Sequence, residues 1–433
     1  MMTGKETAAL LQFIDESPTA FHAVENIAKK LEAAGFLRLS EQEPWKPEPG
    51  KGYFVTRNRS SIIAFRMPTS QADRFLIAAS HTDSPMFKLK NLALSPVAGA
   101  YLRLNTEVYG GTILSSWFDR PLSVAGRVIL SENGKFSTRL VNIDQDLLVI
   151  PNVAIHFNRT VNSGYAYNPA VDLLPLLSEK PDGSLRALIA GEIGCREDCI
   201  AGSDLFVYNR AKGTVIGANG EFFMAPRIDN LMCAHGTLSG FLGADSPSAV
   251  TVYYAADNEE TGSATKQGAA SVFLSDVLDR ICECAGVDKR QALASSMMVS
   301  ADNGHAKHPN HPELSDPQNA PYLNRGVVIK TNAAQKYTTD GVSAAIFSEI
   351  CRCADVPVQW FANRSDMPGG STLGSISNTQ VPLTTVDIGM AQLAMHSACE
   401  TAGSADPAFL ADAMKAFYSS ALSCNGDGSF TLS

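Results

Sequence analysis

The chain has 433 residues, of which 45% are hydrophobic and 18% charged, nine cysteines, and a formal net charge of −9. At about 100–200 residues per domain the length accommodates two cores, and the balance of apolar and charged residues excludes wholesale disorder. No dense block of Lys and Arg offsets the negative charge, so neither nucleic acid nor an anionic membrane is an expected partner. The longest apolar runs are strand-length, far short of the roughly 20 residues of a membrane-spanning helix. Lys5, Glu6, Asp15 and Glu16 interrupt the N-terminal apolar residues where a signal peptide would be continuous, which points to the cytoplasm. The cysteines form no CxxC pair, which favours reduced thiols over a structural zinc site.

In chain order, residues 18–34 read as an amphipathic helix with Ser17 as N-cap, Pro18 at the first helical position and Gly35 just past the end. After Lys51 the pattern changes to short β-type runs, and residues 75–80 (FLIAAS) form a continuous apolar strand that stops at His81. From about residue 94 to residue 226, short alternating segments separated by Gly and Asn, at 101–109, 126–130, 147–155 and 204–209, read as an inserted β-rich domain. Helices over 230–242, 275–285, 340–354 and 407–422 then alternate with strands over 249–256, 296–301 and 383–388. The expected fold is α/β: a three-layer α/β/α domain made from residues 1–93 and 227–433, with its sheet covered on both faces, interrupted by the β-rich segment 94–226.

Candidate metal ligands fall at the ends of these strands. His81-Thr82-Asp83 follows FLIAAS, Asp257-Asn258-Glu259-Glu260 follows VTVYYAA, Asp302 follows MMVSA, and His396 comes shortly after LTTVDIG. Asp229 opens the helix after the insertion. Open α/β sheets bind ligands beyond the carboxyl ends of their strands, so these side chains are expected on one rim. A lone strand-end Asp or His is usually a cap or a satisfied polar group; the joint pattern carries the inference. Two imidazoles and three carboxylates suit two borderline divalent ions with one carboxylate bridging, because zinc accepts nitrogen and oxygen donors. Adjacent Glu259 and Glu260 can divide roles, one binding metal and the other taking a proton from water acidified by the ions. Asp83 is spaced to orient the His81 imidazole. His305, His308 and His311 lie in a proline-interrupted loop, and His22 and His235 read as packing residues. No GxSxG, HExxH, GxxxxGK[ST] or GxGxxG motif occurs, which leaves metal-assisted hydrolysis.

The segments SPTAFHAVENIAKKLEAAGF, SHTDSP (80–85), EVYGGTILSSWFDRPLSVAGRV (107–128), AIHFNRTVN (154–162), RIDN, DNEETGS, SADNGHAKHPN, VVIKTNAAQKYTTD, MPGGSTLGSISN and QLAMHS occur in this order. Through them, nearly the whole sequence resembles the aspartyl aminopeptidase family of two-zinc exopeptidases. The resemblance implies that His81 and Asp302 bind one metal, Glu260 and His396 the other, and that Asp229 bridges them. It implies Glu259 as general base and Asp83 as the carboxylate supporting the first histidine. Thr261 stands where many members have Val, outside the ligand set. Further implications are two Zn2+ per subunit, with Co2+ or Mn2+ as substitutes, and removal of an N-terminal Asp or Glu from peptides with a free N-terminus, with Lys330 in the side-chain pocket. The insertion would be a dimerisation domain in a homo-oligomer, a dodecamer of dimers, with His156 reaching a neighbouring subunit's active site. The alternatives are the same chemistry with a neutral-residue preference, another two-metal amidohydrolase, or a non-catalytic assembly protein, against which an intact Glu259 argues because structural metals need no base.

Overall fold

The computed structural model describes residues 4–97, 99–179, 183–245 and 248–432. In the strand Val250–Ala256 every residue is buried, yet neighbours join different cores: Tyr253 and Ala255 face one, Val252, Tyr254 and Ala256 the other. Such alternation follows from the two-residue period of a strand and requires cover on both faces. Helices Lys5–Glu16, Ala20–Ala33, Ile228–Gly243, Gly341–Cys353 and Asp406–Ser419 close the first core, and Phe273–Ala285 closes much of the second.

The sheet between them has nine strands, in the order Leu37–Arg38, Gly52–Arg57, Ser61–Arg66, Val250–Ala256, Phe75–His81, Met297–Ala301, Thr384–Gly389, Val327–Thr331 and Val358–Ala362. The four strands from Val250–Ala256 to Thr384–Gly389 run parallel to one another. Their carboxyl ends therefore share one edge of the sheet, which brings His81, the 257–260 loop and Asp302 together.

The start of the chain departs from the sequence expectation. Ser17 ends the helix Lys5–Glu16 instead of starting the next one, and the second helix begins at Ala20 after Thr19. Pro18 disfavours the helical conformation at the residue before it, and Ser17 accordingly sits at φ −120°, ψ 65°, splitting the two helices.

A second sheet of six strands is antiparallel throughout, in the order Lys135–Asn142, Leu122–Glu132, Ile200–Asn209, Met86–Val97, Tyr101–Tyr109 and Leu176–Ser178. With the helix Leu185–Ile193 it encloses a third core around Phe87, Trp117, Val124, Ile189 and Leu205. Its strands begin at Met86, whereas Thr214–Ile216 and Phe222–Ala225 belong to another sheet, in which Phe222–Ala225 pairs with Glu400–Gly403. Within residues 147–155 only isolated bridges at Leu148 and Val149 form. Beyond them Pro151 has no N–H to donate, and the Asn152 backbone N–H is bound by the Asp119 carboxylate at 2.9 Å. Among the described residues no helix is long and apolar enough to cross a membrane.

Candidate active site

Two groups of side chains meet beyond the parallel strands and share one residue: His81, Asp229 and Asp302 form one, Asp229, Glu260 and His396 the other. His81 Nε2 lies 3.5 Å from Asp229 Oδ1 and 3.7 Å from Asp302 Oδ1. His396 Nε2 lies 3.4 Å from Asp229 Oδ2 and 3.5 Å from Glu260 Oε2. These separations are long for hydrogen bonds but lie at or close to the edge of a ligand tetrahedron, about 3.3–3.6 Å for bonds of about 2.0–2.2 Å to zinc. Asp229 Oδ1 and Glu260 Oε1 are buried with no hydrogen-bond partner among the described residues, a costly state that a cation would relieve. The donor set fits two divalent ions, with the two oxygens of Asp229 turned toward different groups. Glu259 joins His81 and Glu260 in a third, overlapping group.

Both imidazoles are oriented through their other nitrogen. His81 Nδ1 is 3.1 Å from the backbone oxygen of Asp83, and His396 Nδ1 is 3.0 Å from that of Gly111. A carbonyl only accepts, so each Nδ1 carries hydrogen and each Nε2 can offer its lone pair to a metal. Asp83 thus orients His81 chiefly through its main chain, its carboxylate lying 3.4 Å from Nδ1. That carboxylate accepts the backbone N–H groups of Glu259 and Glu260, both at 3.2 Å.

The backbone around the ligands is unusual. Arg227, Asn258 and His396 have left-handed φ values of 59°, 62° and 67°, and the Asp229–Asn230 peptide bond is cis. Non-glycine residues in that region cost energy and concentrate at functional sites. The buried Arg227 guanidinium holds its position by donating to the carbonyls of Ser17 and Ile14 at 3.1 and 3.0 Å.

Burial, with the charges of Asp302, Asp83 and Asp229 outweighing the opposing His81, pushes the Glu259 carboxyl up to about 8. Burial and Asp229 raise Glu260 well above the usual range. His396 is raised to about 8: burial opposes this, but the facing Asp229 carboxylate prevails. All three values lie above their unfolded counterparts, so the metal-free folded chain holds extra protons and loses stability as pH rises through this window. Metal ions displace those protons and reverse the dependence. In chelator the melting temperature should therefore fall between about pH 5 and about pH 8, and saturating zinc should abolish the fall. A flat profile in chelator would show that these groups are not coupled to folding.

The aminopeptidase I zinc metalloprotease (M18) family matches residues 13–418. The chain belongs to that family. It is a zinc-dependent metallo-aminopeptidase, a hydrolase, and the side-chain groups described above could hold its metal. The probable M18 family aminopeptidase 2 of Clostridium acetobutylicum is 45% identical over 422 residues, covering 94% of this chain and 97% of that protein. Its namesake in Stutzerimonas stutzeri is 42% identical over 424 residues, covering 95% and 97%. Among solved structures, Ape4 in its complex with Nbr1 superposes with a TM-score of 0.92 at 37% identity, covering 96% of this chain and 85% of that one. Yeast aminopeptidase 1 (Ape1) gives 0.85 at 26% identity, covering 95% and 96%.

In this M18 enzyme, Lys330 is 1% exposed, and its Nζ donates to the carbonyl oxygen of Asp302 at 2.7 Å. His156 lies in an exposed segment outside the cluster, between Ile155 and Phe157, which are 50% and 88% exposed. His235 packs on Phe13, as its sequence context suggested. Of the loop histidines, His305 and His308 line a cavity that also contains Gln392 and Ala394, from the segment leading to His396. Glu400 escaped the sequence reading. It is buried, with one carboxylate oxygen accepting the backbone N–H of Asp229 at 3.0 Å and the other that of His396 at 2.8 Å. Burial, then the charge of Asp229, pushes it up to about 8. The only local signal was an acidic residue four positions after His396, which no strand-end pattern marks.

Proposed function

We propose that this enzyme removes an N-terminal Asp or Glu from peptides with a free amino group, in the cytoplasm, using two zinc ions per subunit that cobalt or manganese can replace. The observation that carries this reading is the pair of ligand groups joined by Asp229 with Glu259 beside them. His81, Asp229 and Asp302 would hold one ion, and Asp229, Glu260 and His396 the other. Bound there, the ions supply Lewis acidity to the scissile carbonyl and acidify the attacking water. Glu259 accepts the water proton on a carboxylate oxygen and passes it to the leaving amine nitrogen. Positive charge added beside it would draw its carboxyl back down, toward the ionised form that accepts a proton.

An acidic first residue has to approach a chain of net charge −9, so it needs a local positive potential. Lys330 supports this: burial lowers its ammonium, but Asp302 and other neighbours more than compensate, and among the described residues it makes no ion pair. A cavity of about 300 Å³ lined by His305, Phe361, Asn363, Arg364 and Met367 would receive the side chain; Lys330 does not line it and would act on it through its buried charge. A neutral preference is the second reading, because Arg364 is already paired with Asp366 at 2.7 Å.

We further propose that the β-rich segment 94–226 is a dimerisation unit in a dodecamer of dimers, and that His156 enters a neighbouring subunit's site to stabilise the oxyanion. Exposed Ile155 and Phe157 beside His156 support this, since such apolar surface is commonly covered by a partner. So does the similar S. cerevisiae mApe1, solved as a dodecamer.

The test strips the enzyme of metal, restores zinc, cobalt or manganese, and follows release of the first residue from matched peptides beginning with Asp, Glu, Leu or N-acetyl-Asp. Metal-dependent cleavage of the Asp and Glu peptides, with the acetylated one intact, is expected. Lys330→Met should lower the ratio of kcat/KM for Asp over Leu by about tenfold or more. The ratio is internal to one preparation, so partial misfolding does not alter it. A Leu preference in the unaltered enzyme discards the acidic pocket, and cleavage of the acetylated peptide points to a different amidohydrolase.

A further inference from the structure

The antiparallel unit does more than border the active site: the end of its strand Tyr101–Tyr109 reaches into it. Gly111 supplies the carbonyl that orients His396, and the Ile113 N–H donates to the His396 carbonyl at 2.9 Å. Gly110 has φ +75°, and a Cβ there would lie 3.1 Å from that of Glu260, so a side chain at this position is disfavoured by both conformation and space. Just before these glycines, the Tyr109 hydroxyl donates to Asp83 Oδ2 at 2.7 Å.

Three donors therefore meet on the Asp83 carboxylate: the Glu259 N–H on Oδ1, and the Glu260 N–H and Tyr109 hydroxyl on Oδ2. The phenol provides the shortest of them, as expected for an O–H bound to an anion. Its proton is aimed by Asn258, whose Nδ2 donates to the phenolic oxygen at 2.8 Å and leaves the O–H to point at Asp83. The Asn258 amide is fixed in turn by Gln267 Nε2 and Thr265 Oγ1, which donate to its Oδ1 at 2.7 and 2.9 Å. Every link is a directional bond, and the chain ends on the backbone of the two residues that face the metal groups.

We propose that Tyr109 is a positioning residue for the reaction: its hydroxyl holds the Asp83 carboxylate, which holds the backbone of Glu259 and so sets the carboxylate that moves the proton. The proposal rests on Glu259 acting as the base. Removing the hydroxyl leaves Asp83 free to turn and the base loop free to shift. This should impair proton transfer more than peptide binding.

Tyr109→Phe keeps the ring against Phe206, centroid to centroid 5.5 Å, and deletes only the hydroxyl. In the full-length zinc-loaded enzyme, kcat on an Asp-initiated peptide should fall about tenfold to hundredfold, the scale of a displacement of about 1 Å. KM should stay within about twofold, with bound metal and melting temperature unchanged. Combined with Glu259→Gln, the two losses should fail to multiply, because both act through one group. Asn258→Asp gives a second route: the left-handed backbone tolerates Asp, and the new carboxylate competes for the phenolic proton, so kcat should again fall with KM retained. The proposal is overturned by a kcat within about twofold of native for both variants. It is also overturned by multiplying losses, or by activity that excess zinc restores, which would assign the hydroxyl to holding Glu260. If the native enzyme itself releases no residue with any metal, the underlying aminopeptidase reading fails, a result distinct from an active enzyme indifferent to Tyr109.

Discussion

Glu259→Gln should lower kcat by about three to four orders of magnitude while leaving two metal ions bound. The amide matches the carboxylate in shape, and the backbone N–H that Asp83 holds is unchanged, so the loop keeps its place. What disappears is an oxygen able to accept a proton from water and return it to the leaving nitrogen. A carboxylate oxygen of Glu259 lies within 4.8 Å of donor atoms on His81 and Glu260, which sets the proposed base beside the residues that would hold the ions. Metal content and single-turnover hydrolysis of an Asp-initiated peptide check both halves of the expectation. A loss of less than about tenfold with metals retained would remove Glu259 from proton transfer.

Asp229→Asn should have the larger effect on the metals. The Asp229 oxygens face His81 at 3.5 Å and His396 at 3.4 Å, so this one side chain serves both groups. An amide nitrogen offers no lone pair for a metal, and partners one step removed from a ligand already cost about 10–100-fold in affinity. A lost bridging ligand should cost at least about a hundredfold, leaving at most one ion after dialysis and no measurable turnover. Asp302→Asn touches only the group with His81 and should spare the second ion. Two ions retained in Asp229→Asn, measured by metal analysis, would rule out the bridging role.

Much of this was legible in one dimension. Continuous apolar strands such as Phe75–His81 and Val250–Ala256 show in the sequence because burial on both faces leaves few polar positions. Ligands at their ends show because a parallel sheet puts all its carboxyl ends on one side. Order and spacing mark His81, Glu259, Glu260, Asp302 and His396 near strand ends and Asp229 at a helix start; the resemblance divides the two glutamates, and the fold brings these residues together.

The tertiary structure decided what depends on main-chain atoms and distant partners. Glu400 grips the backbone of Asp229, 171 positions earlier, and that contact has no sequence pattern. Asp83 turns its carbonyl to His81 and its carboxylate to the 259–260 loop, a division invisible in its identity. Lys330 sits buried behind Asp302, and Tyr109 crosses from another sheet to reach Asp83. Side-chain type and period determine which strands are buried and which ligands lie at their ends; hydrogen bonds between residues far apart in sequence determine how those ligands are aimed, because only the folded chain brings their donors and acceptors together.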